Sequence, residues 1–191
     1  MELENLIRDC IKGHELARKH LYIKYGPIVK SICLRYIKDS NEVLDAFHDC
    51  FVKIIFSIEK YTFQGSFEGW IKRLAVNFCL DTLKKKKRLV YIEEYTDLGL
   101  LEEEEGNEEL IVNQAISANF SAEEWNTMLE KLPEHFKIVF YLFHIDCFSH
   151  SEIAKNLNIE EKTSRSRLWR AKKLLRTIIE ETIQKQHCHE K

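Results

Sequence analysis

The stretch from Lys162 to Arg176 holds seven Lys and Arg residues and no Asp or Glu. Projected onto a helix at about 100° per residue, Ser164, Leu168, Ala171, Leu175 and Ile178 fall on one face. Lys162, Arg165, Ser166, Trp169, Lys173 and Arg176 fall opposite. A helix that meets only water usually mixes signs on its polar face. A polar face of one positive sign suits a phosphate partner. Arg and Ser side chains can also reach base edges in a DNA major groove. Glu160 and Glu161 occupy the first turn of this helix, where the helix dipole favours anions.

A second constellation lies between Ser66 and Arg88. Trp70, Arg73, Asn77 and Lys84 share one side of a helix, with spacings of three, four and seven. The core side is expected to hold Ile71, Leu74, Ala75 and Phe78. An exposed aromatic beside an Arg and an amide can stack on unpaired bases and hydrogen-bond their edges. The lysine run Lys84-Lys85-Lys86-Lys87-Arg88 suits a solvated helix end and also backbone phosphates.

Catalytic chemistry finds no such equipment. The sequence contains no Ser/His/Asp order, no phosphate-cradling Gly loop and no metal-spaced His/Cys set. Its six cysteines, Cys10, Cys33, Cys50, Cys79, Cys147 and Cys188, form no CxxC pair. They are expected to be inert thiols of a reducing compartment, most of them buried. His187-Cys188-His189 falls short of the roughly four ligands of structural zinc. No apolar run approaches the roughly 18 residues needed to span a bilayer. Met1 to Asp9 lacks the basic start and apolar core of a signal peptide. The expected location is the cytoplasm.

Six Gly and two Pro in 191 residues favour helices over turn-rich sheets. The net charge of −2 hides a strong segregation. Between Leu89 and Glu130 there is no Lys or Arg, but there is Glu102-Glu103-Glu104-Glu105. Such a block reads as an extended linker. The expected fold is all-α, with helical domains at 1–90 and 121–185, an acidic linker at 91–120 and a tail at 186–191.

Within the first domain, Leu3, Leu6, Ile7 and Cys10 have helix spacing, and Gly13 suits the end of that helix. Gly26-Pro27 is expected to interrupt the next one. Asp39-Ser40-Asn41 is a cap signal before a helix from about Glu42 to Glu59. That helix places Val43, Phe47, Cys50, Phe51, Ile54 and Ile58 at core spacing. In the second domain, Leu132-Pro133 starts a helix. Ser149 and Glu152 form a capping box, and Asn158 suits a left-handed turn before the long basic helix. Short helix, tight turn and basic helix together make a helix-turn-helix pattern.

These motifs, in this order, resemble the sigma-70 family of RNA polymerase sigma factors. The two-block layout is similar to that of the extracytoplasmic-function subgroup. Asn41 to Lys53 resembles the family's polymerase-clamp-binding helix. Ser66 to Asn77 resembles its −10 recognition and melting segment. Leu132-Pro133 with Val139-Phe140, then Ser149 to Ala154, then Thr163 to Ala171 resembles its −35-binding helix-turn-helix. His48 stands where the family usually has Gln, Tyr61-Thr62-Phe63 replaces Phe-Arg-Gly, and Lys137 takes an Arg position. Ser164 replaces a usual Val and is expected to weaken packing slightly.

The resemblance implies a role for each block. Asp45, Asp49 and Phe51 would dock on the clamp helices of the largest subunit of the polymerase core. Asn77, with Trp70 and Arg73 nearby, would hold a flipped, non-template base of melted −10 DNA, and Lys84 would bind the same element. Thr163, Arg165, Ser166, Arg167 and Arg170 would meet the −35 element. Promoter DNA, core polymerase and an anti-sigma factor are the implied partners, with no cofactor, metal or catalytic residue. Two readings of the acidic block stand side by side: a mimic of nucleic-acid charge inside polymerase, or a solvated spacer. A stand-alone helix-turn-helix regulator would explain the second domain but leaves Asn41 to Asn77 without a role.

Overall fold

The computed structural model describes residues 3–85 and 120–189. The proposed linker at 91–120 falls almost wholly outside them, as does the basic run from Lys86 to Arg88. The chain divides into two compact units, Met1–Val90 and Tyr91–Lys191. Among the described residues the only regular elements are helices.

The first unit contains α1 (Leu3–Ile11), α2 (Glu15–Tyr36), α3 (Ser40–Ser57) and α4 (Phe67–Lys85), with a single 3-10 turn at Ile58–Lys60. Gly13 ends α1 at φ +85. The N–H of His14 donates to the Asp9 carbonyl at 3.0 Å, and that of Gly13 to Cys10 at 3.1 Å. This double closure needs the left-handed residue that glycine supplies without strain.

Gly26-Pro27 does not break the next helix, because α2 runs through it. Proline removes one N–H, and the carbonyl it abandons is that of Ile23. Both Ile23 and Pro27 lie on the exposed side, so water can satisfy that carbonyl. Asp39 caps α3 as expected, its carboxylate accepting from the Asn41 N–H at 3.0 Å.

Helix α2 packs on α1, α3 and α4. Its residues Leu21, Val29, Ile32 and Cys33 are buried among Phe47, Cys50 and Ile54 of α3 and Ile71, Ala75 and Cys79 of α4. The buried side of α4 differs from the expected one. Leu74 and Phe78 are only half-buried, whereas Val76, Leu80 and Leu83 are buried. Two helices grip α4, so its inward arc is wider and rotated from a single-stripe projection.

The second unit contains α5 (Ala122–Glu130), α6 (Glu134–Phe140), α7 (His150–Leu157) and α8 (Glu161–His189), with a wide π turn at Tyr141–Ile145 after α6. Capping boxes start two of these helices. Ser121 and Glu124 exchange bonds at α5, and Ser149 and Glu152 do so at α7. Lys137 is buried with its Nζ 2.9 Å from Glu130 Oε2 and 3.4 Å from Glu134 Oε2. It fastens α6 back to α5. Asn158 closes α7 in the left-handed region, at φ 55 and ψ 47, as expected. The inner face of α8 holds Ser164, Arg167, Leu168, Ala171, Leu175 and Ile179. Ile178, expected inside, is half-buried, and its neighbour Ile179 takes the core position.

Candidate nucleic-acid interface

In the first unit the loop from Thr62 to Ser66 leads into α4. The Tyr61 hydroxyl donates to the Gly65 carbonyl at 2.7 Å and braces this loop from within. Four aromatic rings gather there. Phe67 and Trp70 stack with their planes 14° apart and centroids at 5.6 Å. Tyr61 meets Phe67 at 4.9 Å and Trp70 at 5.7 Å. Trp70 is therefore half-buried with one face covered, not the freely exposed ring expected. Phe63 provides the exposed ring. It is 52% exposed, 5.1 Å from Tyr61, and held at φ 60. A bulky residue rarely adopts that conformation, and such strain gathers at functional sites. In the sequence Phe63 stands out only as a departure from the Phe-Arg-Gly motif, because what marks it as a site residue is a backbone angle.

Arg73, Asn77 and Lys84 are all exposed along α4 beyond this cluster. The patch thus combines aromatic surface, a guanidinium, an amide and an ammonium group on one helix side. It can stack bases, read their edges and hold phosphate.

Helix α3 presents a different surface. Asp45, His48 and Asp49 are exposed, and so are Leu44, Val52 and Phe56, the last by 75%. The three apolar residues were missed in the sequence, where their spacing was overshadowed by the stronger core stripe. Phe51 does not belong to this surface. It is buried, with its ring edge-on to Tyr22 at 4.9 Å. Position 51 follows Phe47 by four and precedes Ile54 by three, which turns it inward. Its role is to support the helix from behind.

In the second unit α7, the Asn158 turn and α8 form a helix-turn-helix. Arg165 is exposed, and its guanidinium donates to Glu161 Oε1 at 2.6 Å. Thr163, Ser166 and Arg170 are half-buried. The Ser166 hydroxyl donates to the Thr163 carbonyl at 3.1 Å. Lys162, Lys173 and Arg176 extend the exposed basic face, and the Lys173 ammonium sits 5.1 Å from the centre of the Trp169 ring. Arg167 is the exception. It is buried, because it lies three residues from Ser164 and four from Ala171 on the inner face. It cannot face a groove from there.

The thiols are mostly interior. Cys10, Cys33, Cys50 and Cys79 are buried, and Cys147 is exposed. The Cys33 sulfur beside Cys50, together with burial, pushes the Cys50 thiol up; burial first of all raises that of Cys10. Cys10 and Cys50, held protonated in this way, are poor nucleophiles. Among the described residues no group of three or more His, Cys, Asp or Glu is placed to hold a metal.

Residues 21–89 match the family model of Sigma-70 region 2, and residues 122–175 match that of Sigma-70, region 4. The chain belongs to the sigma-70 family. Its first unit is the sigma region 2 unit and its second the sigma region 4 unit, the two-region layout of the extracytoplasmic-function (ECF) subgroup. It is similar to the ECF RNA polymerase sigma factor SigW of Bacillus subtilis, 27% identical over 92% of this chain and 96% of that relative. It is similar also to the ECF RNA polymerase sigma-E factor of Escherichia coli K12, at 24% identity over 94% of this chain and 95% of the other. Among solved structures, the sigma factor RpoE of Bartonella quintana, in complex with the anti-sigma factor NepR, shares its fold. The TM-score is 0.52 at 12% identity, covering 85% of this chain and 96% of that one.

Proposed function

We propose that this chain is an alternative sigma factor that binds RNA polymerase core, directs it to specific promoters and promotes DNA melting at initiation. The observation that carries this reading is the presence, on one chain, of both sigma regions with a complementary surface on each. The region 2 unit has an acidic, apolar face on α3 and a base-binding face on α4. The region 4 unit has a basic helix-turn-helix.

In this reading α3 docks on the clamp helices of the polymerase through Asp45 and Asp49, with Leu44, Val52 and Phe56 supplying apolar contact. The acidic pair selects a basic partner and fixes register. Helix α4 then meets melted −10 DNA. An unstacked base rests on the Phe63 and Trp70 rings, and Asn77 hydrogen-bonds its edge while Arg73 and Lys84 hold backbone phosphate. Helix α8 enters the major groove of the −35 element with Thr163, Arg165, Ser166 and Arg170 leading. The domains at 1–90 and 121–185 are thus separate DNA- and polymerase-binding modules, and the acidic block at 91–120 tethers them. The role is binding, not catalysis, and its setting is the cytoplasm. Among the described residues no helix is long and apolar enough to cross a membrane. An anti-sigma factor, the kind of partner that RpoE of Bartonella quintana holds, is the proposed inhibitor.

In-vitro transcription with core polymerase on a genomic library tests this directly. The expected result is a set of promoter-specific transcripts that require the chain. Specific DNA binding by the chain alone, with no effect on core, would make it a stand-alone regulator instead.

A further inference from the structure

The outward face of α2 carries a stripe that none of these roles uses, apolar at Leu16, Ile23, Pro27 and Leu34 and interrupted by His20 and Lys30. Leu16, His20, Ile23, Pro27, Lys30 and Leu34 are all exposed. They follow one another at spacings of four, three, four, three and four. Leu16 is 73% exposed, Ile23 61% and Leu34 57%. The other side of α2 is spent on the core, against α3 and α4. This leaves a seam one residue wide and about 27 Å long, at 1.5 Å per residue. Alternating spacings of four and three are those of the a and d positions in paired helices, where knobs of one helix enter holes of another. A single narrow stripe of this kind fits a helix better than a broad surface.

The charge around the seam says what kind of helix. Between Leu16 and Leu34 the exposed charged residues of α2 are Lys19, Lys24 and Lys30, with no Asp or Glu among them. Lys19 and Lys24 are exposed on either side of the stripe, and Lys30 lies within it. The exposed stripe of α3 has the opposite surroundings, with Asp45 and Asp49 beside Leu44 and Val52. A basic partner suited to α3 would be repelled by α2, so the two faces select different partners. A second copy of this chain, stripe to stripe, would set lysine against lysine. A nucleic acid would leave three aliphatic side chains without a use.

We infer that the outward face of α2 is a docking site for an acidic amphipathic helix, distinct from the surface that α3 offers to polymerase. The partner helix carries apolar residues facing Leu16, Ile23 and Leu34, and acidic residues facing Lys19, Lys24 and Lys30.

The test uses the full-length chain and a labelled synthetic peptide of about 21 residues, three heptads with Leu at a and d and Glu at e and g. Fluorescence anisotropy measures its binding beside that of the same peptide with Lys at e and g. The acidic peptide is expected to bind at least about ten-fold more tightly, and to weaken as salt rises. The double variant Ile23→Glu, Leu34→Glu is expected to lose that binding while keeping its circular dichroism spectrum and its affinity for core polymerase. Asp45→Lys with Asp49→Lys is expected to leave peptide binding unchanged. Equal binding of both peptides, binding that survives the double variant, or no binding at all overturns the inference. So does an outcome in which vesicles of phosphatidylglycerol, not the peptide, bind in a manner that depends on Ile23 and Leu34. That result would make the face a membrane contact.

Discussion

The Ser164 hydroxyl lies 2.9 Å from Nδ1 of His150, joining the recognition helix to the helix that supports it. Ser164 is fully buried, and His150 stacks on Phe143 with ring centroids at 4.6 Å. The sequence alone suggested that a serine here costs packing. The structure shows a polar clasp in its place, at the point where α7 and α8 must keep a fixed angle. Ser164→Ala is expected to remove about 1 kcal/mol, the typical net contribution of one internal hydrogen bond. Thermal unfolding followed by circular dichroism, on wild type and variant, measures it. An unchanged midpoint would mean that the bond contributes nothing net.

Asp45 and Asp49 are one helical turn apart and both exposed on α3. Replacing both with Lys reverses the charge of that face without touching the core. Binding to core polymerase in a pull-down titration is expected to be lost, with the melting curve preserved. Phe51→Ala supplies the contrast. Its ring is buried against Tyr22, so the variant is expected to lose about 3–5 kcal/mol of stability. Full core binding by the Asp45/Asp49 variant would move the polymerase surface elsewhere.

Arg165 and Arg167 stand two residues apart with opposite fates. Arg165 is exposed and its guanidinium donates to the Glu161 carboxylate, an exposed ion pair of little net stability that DNA can replace at small cost. Arg165→Ala is expected to weaken −35-dependent initiation with stability unchanged. A base contact costs about 1–3 kcal/mol of discrimination at one position, whereas a phosphate contact weakens every sequence alike. Arg167→Ala, at a buried position, is expected to lower stability in urea titration. Initiation unaffected by Arg165→Ala on every −35 variant would place the recognition face elsewhere.

The pattern of what could be read from the sequence follows from the range of the forces involved. The Ser149/Glu152 capping box, the Asn158 turn and the Gly13 helix end were legible because each is settled within a few residues. Pro27 was misread as a break because its tolerance depends on facing solvent, a tertiary fact. The burial of Val76, Leu80 and Leu83 required knowing that α4 is gripped from two sides. The core spacing of α3 already turned Phe51 inward, against the docking role that the family motif implied, and at Arg167 likewise a motif does not say which of its members face inward. Phe63 stands where the family motif has Gly, which fits its φ of 60, but a phenylalanine by its type gives no sign of a left-handed backbone. The stripe of α2 is continuous only because the helix runs through Gly26-Pro27, which the sequence alone does not reveal.

Asn77 remains the residue whose substitution separates base reading from simple binding. It is exposed on α4, one turn beyond Arg73 and on the side away from Ile71 and Ala75, which are buried. Burial therefore gives no reason for an amide there. An amide both donates and accepts, so it can match the edge of an unstacked base. A side chain of helix interior position gains nothing comparable from asparagine, which is a weaker helix former than alanine. Asn77→Ala is thus expected to hold or slightly raise helix stability, and to leave core binding and −35 contact nearly unchanged. Open-complex formation is expected to fall, and the loss should depend on the base at one −10 position. Duplex and pre-melted promoter templates carrying each base at every −10 position provide the measurement. If wild type and Asn77→Ala share the same base preference throughout, Asn77 does not read DNA, and base selection must rest with the Phe63 loop or Arg73.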